Sequence, residues 1–263
     1  MKYIEKSHEP DFLVSYRNRQ SVIDSLNNAT TNRELRQIFR DFNGEYGKDI
    51  WDILWKEQGG ICAYCGSKID NKDKNHTFFA LSDNNSRNEK GKVRREHLIA
   101  LSTDKEKILS YFNLVAVCQG NEKTGEVEFH CDKKKDKNLI SIFPTNPNWE
   151  DFFSYKETEE EFDGIQIEGI TGDAIDTISE KKLNLNIKLL QRRRFDNNQA
   201  PQIISSFKRR SKGDRKIVIV ELEKTVENIY KKIELDECCF VTKFFLQRAI
   251  ENLKNEQHTE GSH

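Results

Sequence analysis

Four cysteines and a short run of acid, imidazole and amide side chains carry the chemistry legible in this chain. Cys62-Ala-Tyr-Cys65 follows Gly59-Gly60 directly. A lone Cys118 comes later, and Cys131 lies in His130-Cys131-Asp132-Lys133-Lys134-Lys135. Zinc takes four soft or borderline ligands in a tetrahedron, commonly as two short pairs. Cys62 and Cys65 form such a pair, a knuckle whose tight turn lets both thiolates face one point. Cys118 and Cys131 are separated by 12 residues, an insert whose two glycines allow it to loop out and bring Cys131 back beside Cys118. The expectation is a structural Zn²⁺ on Cys62, Cys65, Cys118 and Cys131, with His130 competing as fourth ligand.

Between the cysteines lie Arg95-Glu96-His97-Leu98-Ile99 and Phe112-Asn113-Leu114-Val115. Cleaving a phosphodiester needs an activated water, an oriented phosphate and charge stabilisation at the leaving oxygen. A hard cation held by carboxylates supplies the last two, and a neutral histidine serves as base. Glu96 and His97 are adjacent on a predicted strand, so their side chains alternate in direction; both reach one phosphate only if the strand is irregular. Asn113 is expected to brace the strand pair through backbone hydrogen bonds. Asp132, at the start of a predicted helix, is placed to complete a cation site. Lys133, Lys134 and Lys135, with Arg95, are candidate phosphate contacts. Arg192-Arg193-Arg194 and Lys208-Arg209-Arg210-Ser211-Lys212 are weaker ones.

These residues resemble the HNH, or ββα-metal, endonucleases, and among them the HNH component of Septu-type and retron-associated anti-phage defence systems, the PtuB family. The resemblance covers residues 57–65, Glu96 to Ile99, Tyr111 to Leu114 and His130 to Lys135, and extends more loosely through Phe143-Pro144 to Leu183-Asn184-Leu185-Asn186 and Arg192. It implies His97 as general base, Glu96 and Asp132 as ligands of a catalytic Mg²⁺ or Mn²⁺, Asn113 as the structural asparagine, and the four cysteines as zinc ligands. It also implies an ABC/SMC-like ATPase partner that gates cutting and, in a retron setting, a reverse transcriptase with its nucleic acid. Two positions depart from the family pattern: Ala100 stands where proline is common three residues after the histidine, and Asp132 where asparagine or histidine is common. The implied function is a metal-dependent endonuclease acting as a defence effector. The alternative is a zinc-ribbon binding module whose catalytic site has lapsed.

The elements that must position these groups give an α+β fold. Residues 1–60 read as helical, with a capping box at Thr31 and Glu34 and a helix that stops at Gly59-Gly60. Residues 61–145 hold the ββα-metal core and the zinc knuckle: strands over Val93–Leu98 and Asn113–Cys118, a helix from near Asp132, and a short strand at Phe78–Leu81. Residues 146–263 read as mainly helical, with a strand pair around the Asp163-Gly164 turn signal, a helix over Ala174–Arg193 broken near Asn184, and one or two helices over 217–253. Cys238 and Cys239 sit in an apolar run and read as core thiols.

Charged residues make up 33% of the 263 and apolar ones 35%, which predicts a modest core under a heavily charged surface. The net charge of −1 excludes a uniformly basic nucleic-acid binder, so phosphate attraction must come from local clusters. No export signal and no membrane-spanning run is legible. The six cysteines therefore read as ligands or free thiols of a cytoplasmic bacterial protein with no membrane association.

Overall fold

Thr31 and Glu34 do start a helix. Helix α3 (Asn32–Gln58) follows the shorter α1 (Asp11–Arg17) and α2 (Gln20–Asn28). The Thr31 hydroxyl accepts from the Glu34 backbone N–H, and the Glu34 carboxylate accepts from Thr31 N at 2.9 Å. Leu35, Ile38, Phe39, Phe42, Ile50, Trp51, Leu54 and Trp55 bury one face of the rod, the spacing of a helix packed on one side. It ends at Gly59, whose φ of 67° is left-handed and whose absent Cβ would lie 2.4 Å from the Leu235 side chain. Only glycine meets both demands. The chain then enters the Cys62–Cys65 knuckle.

The computed structural model describes residues 1–69, 94–121, 128–158 and 163–260, with side chains to 256. The expected strand at Phe78–Leu81, the position of Val93 and most of the insert between Cys118 and Cys131 lie outside the described residues. Strand β1 (Arg94–His97) pairs antiparallel with β2 (Leu114–Val117), in a register that sets Glu96 opposite Val115 and His97 opposite Leu114. The single-turn helix α4 (Cys131–Lys135) comes next. Strands β3 (Phe153–Glu157) and β4 (Ile165–Gly169) form a second antiparallel pair. Helices α5 (Gly172–Ile178) and α6 (Lys188–Asp196) flank a left-handed Asn184 at φ 50°, where the sequence predicts the break. Helices α7 (Ala200–Arg210), α8 (Arg215–Asn228) and α9 (Cys239–Glu260) complete the chain. The fold is mixed α+β, with two small two-stranded sheets among the described residues. No described helix is long and apolar enough to cross a membrane.

The three sequence segments share one core, in which Leu13 and Trp51 pack with Val115, Trp149 and Val241. Residues 1–60 are thus part of the body rather than a detachable lid. Helices α7, α8 and α9 add a second core of Ala200, Val218, Ile219, Leu222, Leu246 and Ile250.

Gln58, the last residue of α3, joins the long helix to the first sheet. Its side chain is 1% exposed. Its Oε1 accepts from Ala116 N at 2.7 Å, while Nε2 donates to Ala116 O at 2.7 Å and Ile61 O at 2.9 Å. An amide side chain here pairs with β2 as a neighbouring strand would. Gln58→Ala strands a buried N–H, and a buried group left unpaired costs about 1–3 kcal/mol. The expected loss in urea unfolding is about 2–4 kcal/mol including the lost packing. A loss below about 1 kcal/mol contradicts this role for Gln58.

Candidate functional site

The thiols of Cys62, Cys65, Cys118 and Cys131 converge, with all four Sγ atoms within 4.8 Å of one another. Cys62 Sγ lies 4.0 Å from Cys131 Sγ, and Cys65 Sγ 3.7 Å from Cys118 Sγ. A tetrahedral zinc with Zn–S near 2.3 Å sets its sulfurs about 3.8 Å apart, so the donor set fits zinc in type, number and spacing. Three segments deliver it. The knuckle docks on β2 through Ala63 N to Ala116 O at 3.1 Å, Cys118 follows the end of β2, and Cys131 opens α4. Cys131 has a left-handed φ of 53° and donates its N–H to Leu183 O at 2.8 Å. A non-glycine residue pays strain for that backbone, and the position it gives the sulfur is the return.

His130 stands beside the four sulfurs rather than among them, with Nδ1 3.1 Å from Cys131 Sγ and 4.0 Å from Cys118 Sγ. A protonated Nδ1 donates to a thiolate there. Ser67 Oγ lies 3.0 Å from Cys65 Sγ and accepts from Arg193 Nη1 at 2.6 Å. Arg194 is 2% exposed, is held by Ile165 O and Leu185 O, and carries its charge within reach of Cys65 and Cys131. Hydrogen bonds from Cys118 and its neighbours pull the Cys65 thiol well below its usual value, whereas burial pushes Cys131 well above. Four thiols so close cannot all ionise without a cation; a zinc ion relieves that conflict. Cys238 and Cys239 are buried and apart from this set, with Cys239 pushed up to about 11 by burial.

The second cluster lies where β1 meets α4. Arg94 and Glu96 share one face of β1 and Arg95 and His97 the other. On the first face, Glu96 Oε1 accepts from Lys135 Nζ at 2.6 Å, and Arg94 Nη1 lies 3.2 Å from Asp132 Oδ2. Burial, then the neighbouring Asp132 charge, drives the Glu96 carboxyl well above the usual carboxylate range. The two neighbouring carboxylates each meet a cation, Glu96 with Lys135 and Asp132 with Arg94. On the other face, His97 packs its ring edge-on to Phe39, centroids 4.4 Å apart. Its Nε2 lies 3.0 Å from Ile108 O. A carbonyl only accepts, so in the neutral ring Nε2 carries the proton and Nδ1 holds the lone pair. Nδ1 makes no hydrogen bond among the described residues. Burial, aided by the Lys135 and Arg95 charges, pushes His97 down to about 4, so the ring is neutral at pH 7.

Asn113 braces the loop beyond β1. Its Oδ1 accepts from Ile99 N at 2.8 Å, and its Nδ2 donates to Ile99 O at 3.0 Å and Lys107 O at 3.1 Å. The atoms of Glu96, His97 and Asp132 do not come within 4.8 Å of one another as a set; the structure brings the two carboxylates together and leaves the imidazole outside them.

The expected phosphate contacts divide. Lys133 and Lys134 are partly exposed, with Lys133 Nζ 5.3 Å from the Phe129 ring centroid. Lys135 is fully buried and also donates to His97 O at 3.2 Å. It is an internal counterion and not a surface cation. Arg95 donates to Gly47 O at 2.9 Å and lies over the Phe39 ring, its pKa lowered to about 9 by burial. Arg94, one residue earlier, is the arginine facing the carboxylates. The period of two in β1 carries that signal, since Arg94 shares parity with Glu96. Tyr64 is a further group the sequence does not single out: its side chain is buried, its hydroxyl has no partner among the described residues, and it lies within electrostatic reach of Glu96 and Asp132.

No protein-family model matches the chain, and comparison with curated protein sequences finds no match.

Purified protein is expected to carry about one tightly held zinc per chain, because a closed four-thiolate site contributes folding free energy directly. Cys131→Ser should lose the ion and much of the soluble yield, while His130→Ala keeps it. Elemental analysis of both variants decides, and zinc lost with His130→Ala but kept with Cys131→Ser reverses the assignment.

Folding lowers the His97 pKa from 6.5 to about 4, so between those values the unfolded chain binds more protons. Its contribution to stability is full above pH 6.5 and is lost as pH falls toward 4, about 3 kcal/mol in all at ~1.36 kcal/mol per pKa unit. Denaturant unfolding at pH 7.5 and pH 5.5 should show about 1.4 kcal/mol of this loss, and His97→Gln should reduce it. An identical pH dependence in the variant contradicts the buried, neutral imidazole.

Proposed function

We propose that the chain is a metal-dependent endonuclease of the HNH type that hydrolyses phosphodiester bonds. The observation that supports this reading is the pairing of Glu96 and Asp132 on one face of β1, with a neutral His97 on the opposite face whose Nε2 is tied to a backbone carbonyl. A bound Mg²⁺ or Mn²⁺ supplies Lewis-acid stabilisation of the phosphate and of the leaving oxygen. Glu96 and Asp132 would hold the cation. Arg94 orients Asp132, and Lys135 offsets the Glu96 charge in the buried setting. His97 accepts the proton of the attacking water at Nδ1, and the hydrogen bond of Nε2 to Ile108 O fixes the tautomer that leaves Nδ1 free. Asn113 holds the Ile99 and Lys107 backbone on which that geometry rests.

The further expectation, an anti-phage defence effector of the Septu or retron type gated by an ABC/SMC-like ATPase, is supported by the sequence resemblance alone. A zinc-ribbon binding module with a lapsed centre draws support from one observation, the buried Lys135 ammonium paired with Glu96 where a cation ligand is required. Metal-dependent cutting separates the two readings.

His97→Ala is expected to lower cleavage by about 10²–10⁴, the usual contribution of a general base, with folding and zinc content intact. Asp132→Ala should be comparably impaired but partly restored by high Mn²⁺, because it weakens cation affinity and leaves the base in place. The assay is cleavage of labelled DNA and RNA in Mg²⁺ or Mn²⁺, with any partner ATPase supplied. Undiminished cutting by His97→Ala rejects His97 as the base, and absence of metal-dependent cutting by the wild type favours the binding module.

A further inference from the structure

The turn between α7 and α8 concentrates positive charge that the chain as a whole does not have. Lys208, Arg209, Arg210, Lys212 and Lys216 all lie exposed there, in a protein of net charge −1. Asp214 is the one carboxylate within the turn, and it is committed to capping α8, accepting from Lys216 N at 2.9 Å and Ile217 N at 3.3 Å. The turn is tight: Gly213 N donates to Lys208 O at 2.9 Å and Lys212 N to Arg209 O at 3.3 Å. The cations therefore crowd one end of the three-helix unit that has its own core.

Elsewhere surface cations find carboxylates, as Arg19 does with Glu45, Arg192 with Asp196, Lys232 with Asp236 and Lys254 with Glu223. In the turn only Arg215 forms an ion pair among the described residues, with Glu256 at 3.3 Å. Helix electrostatics does not explain the whole set. Lys208, Arg209 and Arg210 suit the negative end of α7, but Lys216 sits in the first turn of α8, where the macrodipole disfavours a cation. Arg210 lies over the Phe207 ring at 4.6 Å, but like charges gathered without carboxylate partners among the described residues, one of them at the wrong helix end, destabilise the free protein and favour a polyanion. Guanidinium and ammonium groups side by side suit phosphate oxygens.

We propose that this turn grips the phosphodiester backbone of a polynucleotide without reading sequence. The proposal rests on the nuclease reading, for which it supplies the hold on the substrate.

The test uses the full, zinc-loaded chain carrying Lys208→Gln, Arg209→Gln, Lys212→Gln and Lys216→Gln together. Binding to a labelled duplex DNA and to a labelled single-stranded RNA is measured by anisotropy over a salt series, without Mg²⁺ or Mn²⁺ so that nothing is cut. Each phosphate contact contributes about 0.9 to the slope of log affinity against log salt on duplex and about 0.7 on single strands. The variant should lose about 3–4 of slope on the duplex, or about 3 on the single strand, and at least about tenfold in affinity at low salt, with melting temperature unchanged or raised. Unchanged slope and affinity on both nucleic acids overturns the proposal, as does loss of an acidic protein partner with nucleic-acid binding intact. Wild-type protein that binds through the turn yet never cuts in Mg²⁺ or Mn²⁺ keeps the turn and removes the nuclease reading.

Discussion

Four sulfurs that must sit within 4.8 Å of one another constrain segments far apart in the chain. Cys62 and Cys131 are 69 residues apart, Cys65 and Cys118 53 apart. Bringing thiols together in a buried setting is unfavourable without a cation, and with one it clamps the end of α3, the end of β2 and the start of α4 to a single point. The strained backbone of Cys131 fits that account. The residue that closes the thiol set is also the first residue of α4, so the directions of Asp132 and Lys135 follow from where its sulfur must go.

From this clamp the second cluster follows. α4 is one turn long and would not persist alone, yet it brings Asp132 toward Glu96 and buries Lys135 against Glu96 and the His97 carbonyl. The opposite face of β1 is fixed from the other side by α3, through Phe39 against His97 and Gly47 O on Arg95. The hairpin is held between a soft-ligand centre and a long helix, and Gln58 joins that helix to β2. Buried ion pairs such as Lys135 with Glu96 contribute little net stability and a good deal of geometric definition.

Much of this was legible in the sequence because local rules decide it. The capping box at Thr31, the stop at Gly59-Gly60, the break at Asn184 and the four-cysteine set each depend on a few neighbouring residues. The Glu96 and His97 alternation was legible too. What the sequence left open was long-range. A run of lysines reads the same whether solvated or buried, so the interior place of Lys135 required knowing that Glu96 waits 39 positions away. Arg94 and Arg95 are chemically alike, and only the phase of the strand against α3 decides which one faces the carboxylates. His130 and Cys131 compete on paper, and the left-handed turn at Cys131 aims the thiol inward.

The claim on which the rest depends is that the thiol clamp creates a second, hard-cation site from Glu96 and Asp132. Titrating Mn²⁺ into zinc-loaded protein and following free Mn²⁺ by electron paramagnetic resonance tests it most directly. The account predicts one Mn²⁺ bound per chain at a site lost in Glu96→Gln with zinc retained. No Mn²⁺ binding in the zinc-loaded protein, or binding that survives Glu96→Gln combined with Asp132→Asn, would contradict it.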